Sequence, residues 1–145
     1  MTDETGSDRY MPKNKERREA FRMTIQECYE MMGGDYAQVA SRLPSARLIE
    51  RFILKFLDDD SYDKLCSAMR DGNREEAFRA AHTLKGVCGN LSIAKLYDAA
   101  SELTELLRPE TDAMPEGAQA LMEHVNQRYE QAEKAIRAYM ESKPA

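Results

Sequence analysis

The sequence predicts an all-α protein, an antiparallel four-helix bundle with one or two additional helices at its N-terminus. Its 145 residues are rich in Ala, Leu, Met, Glu, Lys and Arg and hold only seven Gly and five Pro, a composition that favours helices. Apolar residues recur at three- and four-residue steps in four long segments, and no alternating β-branched run occurs. Four such segments with short connections predict a bundle.

Three parts are predicted along the chain. Residues 1–12 are polar and aperiodic, which indicates a flexible leader. Residues 13–34 form an N-terminal helical extension, which the glycine pair 33–34 ends. Residues 35–145 form the bundle.

The first half of the bundle has recognisable helix signals. Asp35 can cap a short helix that Pro44 stops, and Ser45 can cap the strongly amphipathic helix that follows. The DDDS run at 58–61 is either a kink or a cap. The same apolar periodicity then continues to a turn at 71–73.

The second half holds three long helices. The first runs from about Arg74 to Asn90, and Ser92 can cap the next, which ends before Pro109. After a loop at 109–115, the last helix extends from about Glu116 to Glu141.

Composition also limits function and location. A net charge of −5 does not favour binding to a nucleic-acid backbone. Cys28, Cys66 and Cys88 are odd in number and form no CxxC pair, which favours small buried residues in a reducing compartment. No apolar run approaches the roughly 20 residues of a membrane helix, and the N-terminus is no signal peptide. A cytoplasmic monomer is expected.

His82 is predicted to face solvent. On a wheel of about 100° per residue, the small and apolar residues of segment 77–91 face the core, and His82 lies opposite them. Phe78, Lys85, Gly86 and Gly89 fall within about 60° of His82. An idle surface histidine remains the alternative for His82 alone, and the second histidine, His124, has no special neighbours.

The two glycines favour a functional face. Each glycine inside a helix costs about 1 kcal/mol relative to alanine. Gly86 lies on the exposed face, so core packing does not explain it. A bare strip of backbone lets another macromolecule approach closely. For Gly89, a simple weakening of the helix end is the alternative.

The residue types beside His82 fit a covalent carrier. A histidine imidazole ordinarily has a pKa of about 6.5, so at neutral pH it is largely neutral and one nitrogen offers a lone pair. That nitrogen can attack a phosphoryl group, and Lys85, one turn away, can place an ammonium beside the added charge. No carboxylate lies within reach on the same helix.

The sequence HTLKGVCGNLS at 82–92 resembles the histidine phosphotransfer (HPt) domains of phosphorelays. The likeness extends from about Asp35 to the C-terminus. Val87 and Ser92 depart from the family pattern, and Ser92 implies a capped junction where the family usually has a glycine. The matching residues are His82, Leu84, Lys85, Gly86, Cys88, Asn90 and Leu91.

The resemblance implies that His82 is the phospho-acceptor and that Lys85 stabilises the phosphoryl group. The implied partners are response-regulator receiver domains, a hybrid histidine kinase, or both. The chain itself then needs no cofactor or metal, since the Mg²⁺ belongs to the receiver. It is not an enzyme, and it lacks a GxxxxGK[ST] loop. The implied docking surface consists of Phe78, Arg79, Gly86 and Gly89.

Other interpretations remain open. The chain could be a noncatalytic helical module that docks receivers or other partners without phosphotransfer. A phosphohistidine-dependent phosphatase or mutase would need further Arg and His residues around the intermediate, and only His124 is left to serve. A metal site in the bundle is weaker again, because the two histidines lack an ExxH pairing.

Overall fold

The computed structural model describes residues 22–143, and over this range the chain is helical without a strand. The predicted leader and residues 13–21 of the predicted extension lie outside the described residues. The all-α prediction is confirmed. The helices are α1 Ile25–Met32, α2 Tyr36–Arg42, α3 Ala46–Phe56, α4 Ser61–Arg70, α5 Arg74–Leu91, α6 Ala94–Leu107 and α7 Ala118–Glu141.

The bundle is built around α5, which packs between α4 and α6, while α6 also packs on α7. Short connections at 71–73 and 92–93 join α4 to α5 and α5 to α6, and connections of this length make neighbouring helices antiparallel. Small residues line the side of α5 that faces its neighbours: Ala77 and Ala81 are fully buried, and Ala80 is 8% exposed.

The DDDS run separates two helices that the apolar periodicity had joined. α3 ends at Phe56, and Asp59 accepts a hydrogen bond from the backbone N–H of Ser61 at the start of α4, at 3.0 Å. Rings on both sides of the break contact Tyr129 of α7. The centroid of Phe56 lies 5.8 Å from that of Tyr129, and Tyr62 stacks on Tyr129 at 3.8 Å. One ring from each side of the break therefore contacts α7 at the same residue.

α1 packs on α7 and completes one side of the core. Thr24 caps it in a capping box with Glu27, and Gly33 ends it in the left-handed conformation with a φ of 74°. Cys28, Tyr29 and Met32 are fully buried, and the Tyr29 hydroxyl donates a hydrogen bond to the carbonyl of Leu91 at 2.8 Å. The described part of the extension thus shares its core with the bundle.

Ser92 does not cap α6, so that prediction is wrong. It ends α5 with a φ of 56° and a ψ of 40°, and Ile93 precedes α6 without a side-chain cap. The Ser92 hydroxyl is engaged elsewhere: it accepts from Arg42 Nη2 and donates to Gln38 Oε1, each at 2.8 Å. A serine therefore holds the left-handed, glycine-type conformation, because its hydroxyl ties the end of α5 to α2.

Two of the three cysteines are buried as expected. Cys28 and Cys88 are fully buried, whereas Cys66 is only half-buried, which corrects its assignment to the core. All three are free thiols, and burial raises the pKa of Cys28 to about 12. Within residues 22–143, no helix combines the length and apolar character needed to cross a membrane.

The junction at Ser92 can be tested by two substitutions. Ser92→Ala keeps the left-handed backbone and loses both side-chain hydrogen bonds, and we expect it to lower the free energy of unfolding by about 1–2 kcal/mol. Ser92→Gly loses the same bonds but removes the backbone strain, so it should be about 1 kcal/mol more stable than Ser92→Ala. Urea unfolding measures the difference. Equal stability of the two variants would show that the backbone at position 92 is unstrained.

Candidate functional site

The buried face of α5 fixes the direction of His82. Asn73 caps the helix by accepting from the backbone N–H of Glu76 at 3.1 Å. Four turns of buried residues, including the fully buried Leu84 and Cys88, then hold one face against the core. His82 lies on the opposite face and is exposed, the orientation that the helical wheel predicts.

Phe78 lies beside His82 and Tyr97 lies beside Lys85, and each of the two rings has a cation near it. The Phe78 ring is half-buried and its centroid lies 5.9 Å from that of His82. The guanidinium of Arg108, from the end of α6, lies 5.1 Å from the centre of the Phe78 ring. One turn beyond His82, Lys85 Nζ lies 6.0 Å from the centre of the Tyr97 ring, also on α6. Cation–ring contacts of this kind orient long, flexible side chains.

Glu105, a carboxylate near the end of α6, is hydrogen-bonded to Arg108. Arg108 donates to Glu105 through Nε at 3.1 Å and through Nη2 at 2.8 Å. These hydrogen bonds are the main cause that lowers the pKa of Glu105, and the charges of Lys85 and His82 lower it further. The absence of a carboxylate near His82 therefore holds for α5 but not for the assembled site. Reasoning from α5 alone missed Glu105, Arg108 and Tyr97.

The two glycines differ in their surroundings. A Cβ atom built at Gly86 would meet nothing within 4 Å, so this stretch of helix is open to solvent. A Cβ at Gly89 would lie 3.2 Å from the Tyr97 ring. Tyr97 therefore covers the helix at Gly89, and the predicted bare strip is open at Gly86 alone. Close packing on α6 explains the missing side chain at Gly89.

Arg79, the fourth residue of the predicted docking surface, is exposed near the start of α5. Its guanidinium pairs with the carboxylates of Glu75 and Glu76, at 2.7 Å each. Its predicted part in docking stays a prediction. His124 lies half-buried on α7.

Arg74 fixes the end of α6 beside α5. It is only 8% exposed, and it donates through Nη1 to the carbonyl of Leu107 at 2.6 Å and through Nε to that of Thr111 at 2.8 Å. The last carbonyls of a helix lack partners within the helix, so Arg74 satisfies one of them. Arg108 follows Leu107 directly, and its guanidinium lies against the Phe78 ring.

Among residues 22–143, no group of three or more His, Cys, Asp or Glu side chains is arranged to hold a metal ion.

The structure is a small helical domain with an exposed histidine on the outer face of one helix. The family model of the Hpt domain matches residues 53–135, and the chain belongs to this family. Domains of this family are helical bundles that act as phosphotransfer carriers in phosphorelays and interact with receiver domains. The resemblance to HPt domains that the sequence HTLKGVCGNLS indicates is thus confirmed. No curated protein and no solved structure matches the chain.

Arg74 should matter for stability even though it lies outside the phosphorylation motif. Arg74→Met retains much of the aliphatic bulk but leaves the carbonyls of Leu107 and Thr111 without their donor. We expect the free energy of unfolding to fall by about 2 kcal/mol. Arg79→Met is the matched control, because its exposed ion pairs should change stability by about 0.5 kcal/mol or less. A similar loss in both variants, measured by urea unfolding, would contradict the role given to Arg74.

Proposed function

We propose that this protein carries a phosphoryl group on His82 between receiver-domain aspartates of a two-component phosphorelay. The observation that carries the proposal is the exposed His82 on α5, within the matched family range and one turn from the open backbone at Gly86. No other histidine of the described residues has such a setting, since His124 is half-buried on α7.

The transfer needs little from this chain beyond a nucleophile and a surface. A ring nitrogen of His82 uses its lone pair to form an N–P bond, while the P–O bond of the aspartyl phosphate breaks and its electron pair leaves on the receiver carboxylate. The reverse step passes the group to a second receiver. The Mg²⁺ that neutralises the phosphoryl charge in this scheme belongs to the receiver.

Lys85 is proposed to steady the phosphoryl group. Its ammonium lies one turn from His82 and is held over Tyr97, so it can reach added negative charge as a flexible point cation. Phe78, Arg79 and Gly86 form the proposed docking surface around the histidine, and Gly89 contributes to it through the close packing of Tyr97.

His82 itself is the first test. His82→Gln should leave the helical circular dichroism unchanged and abolish acid-labile labelling by a phosphorylated receiver, because the glutamine amide offers no nucleophilic nitrogen. His124→Gln, which removes the other histidine, should label like the wild type. Labelling of His82→Gln, or its loss in His124→Gln, would place the acceptor elsewhere. A wild-type protein that binds receivers but takes no label would be a noncatalytic docking module.

Gly86 tests the docking surface separately from the chemistry. A Cβ fits at this position, so Gly86→Ala should raise stability by up to about 1 kcal/mol and relay almost normally. Gly86→Gln adds a side chain that projects from the helix, and receiver binding and receiver-dependent transfer should fall together. Labelling by phosphoramidate, which needs no broad docking surface, should persist. Normal relay by Gly86→Gln would show that partners do not approach the helix here.

A further inference from the structure

Three charged side chains from two helices lie around His82 and its neighbour Phe78. Lys85 lies one turn from the histidine on α5. At the end of α6, Arg108 pairs with Glu105 and lies against the Phe78 ring that neighbours His82. Lys85 and Arg108 are each seated on an aromatic ring. Glu105 is the single anion of this group, and both of its carboxylate oxygens accept hydrogen bonds from Arg108.

An anion in this place opposes the proposed chemistry. A phosphoryl group carries roughly 1.5 to 2 negative charges near neutral pH, and a nearby like charge disfavours its arrival. The pairing with Arg108 offsets that effect, because a guanidinium presents two parallel donors that match the two oxygens of a carboxylate.

The position of Arg108 is determined more closely than an ordinary surface pair requires. Its guanidinium also lies 5.1 Å from the centre of the Phe78 ring, and that ring lies 5.9 Å from the His82 ring. The preceding residue, Leu107, is tied to α5 by Arg74. Exposed ion pairs contribute little to folding stability, so stability does not explain why the pair is held against the residue that flanks His82.

We propose that Arg108 is a positioning residue that shields His82 from the Glu105 carboxylate, so that an incoming phosphoryl group does not meet an unpaired negative charge at Glu105. The purpose given to this shielding rests on the function proposed above, but the shielding itself is a property of the unphosphorylated protein. It can therefore be measured on its own.

The experiment is a double-substitution cycle of Arg108→Gln and Glu105→Gln with two measurements. The first is the rate of His82 labelling by phosphoramidate, which involves no docking partner. The second is the NMR titration of the two histidine rings in the unphosphorylated protein. His124 is the internal reference, and Arg137→Gln is the control for net charge because it removes the arginine of an exposed Arg–Glu pair on α7.

Arg108→Gln should slow labelling by about three- to tenfold, since exposed charges are screened by water. The double variant should return to within about twofold of the wild type, because the shield is not needed once the carboxylate is gone. In the titration, Arg108→Gln should move the midpoint of the His82 resonances upward by a few tenths of a pH unit, since an uncovered carboxylate favours the imidazolium. The double variant should reverse this movement, and His124 and Arg137→Gln should show none.

Two outcomes would contradict the proposed shielding of His82 by Arg108. If the double variant labels as slowly as Arg108→Gln, then Arg108 acts directly on the phosphoryl group. If the His82 midpoint is the same in Arg108→Gln and in the wild type, Glu105 exerts no field that needs shielding. A wild-type protein that takes no label from phosphoramidate or from a phosphorylated receiver would refute the proposed function instead, while the titration would still decide whether Arg108 shields His82.

Discussion

The packing of α5 between α4 and α6 is the constraint on which the rest of the structure depends. Ala77 and Ala81 have side chains small enough for neighbouring helices to approach closely, and both are fully buried. Close packing along several turns leaves the helix no freedom to rotate. His82 is exposed for that reason, because the residues opposite it cannot leave the core without exposing apolar surface.

Features that depend on a single helix could be predicted from the sequence. The apolar period of α5 determines its buried face, so the exposed positions of His82 and Gly86 follow from spacing alone. The same holds for helix starts whose cap lies three residues from its partner: Asp35 and Ser45 each accept from a backbone N–H in the next turn, at 3.0 and 3.1 Å. Such contacts are encoded within a few residues.

Features that depend on a second helix were missed or wrong. Serine is a common N-cap residue, but the hydroxyl of Ser92 forms hydrogen bonds with Arg42 and Gln38, about fifty residues away. The spacing on α5 predicts that Gly89 belongs to an open strip of helix, but the Tyr97 ring of α6 covers it. An antiparallel pairing of α5 and α6 about the junction at 92–93 would bring Tyr97 opposite Gly89 and Arg108 opposite Phe78. The helical pattern of α5 alone does not predict these contacts.

In the proposed function, the site combines the open shape of α5 at Gly86 with charges that come from both α5 and α6. The charged groups around His82 lie in water, where screening limits any one of them to a modest influence on rate. The open helix at Gly86 acts differently, because a side chain placed there would occupy the volume that a partner's backbone needs, and water does not screen a steric overlap. Recognition of a partner should therefore depend chiefly on the bare surface of α5. The speed of transfer should depend on how α6 arranges Glu105 and Arg108 around the histidine. Substitutions at Gly86 and at the Glu105–Arg108 pair should then change partner choice and rate separately, since the first alter the shape of the surface and the second alter its electric field.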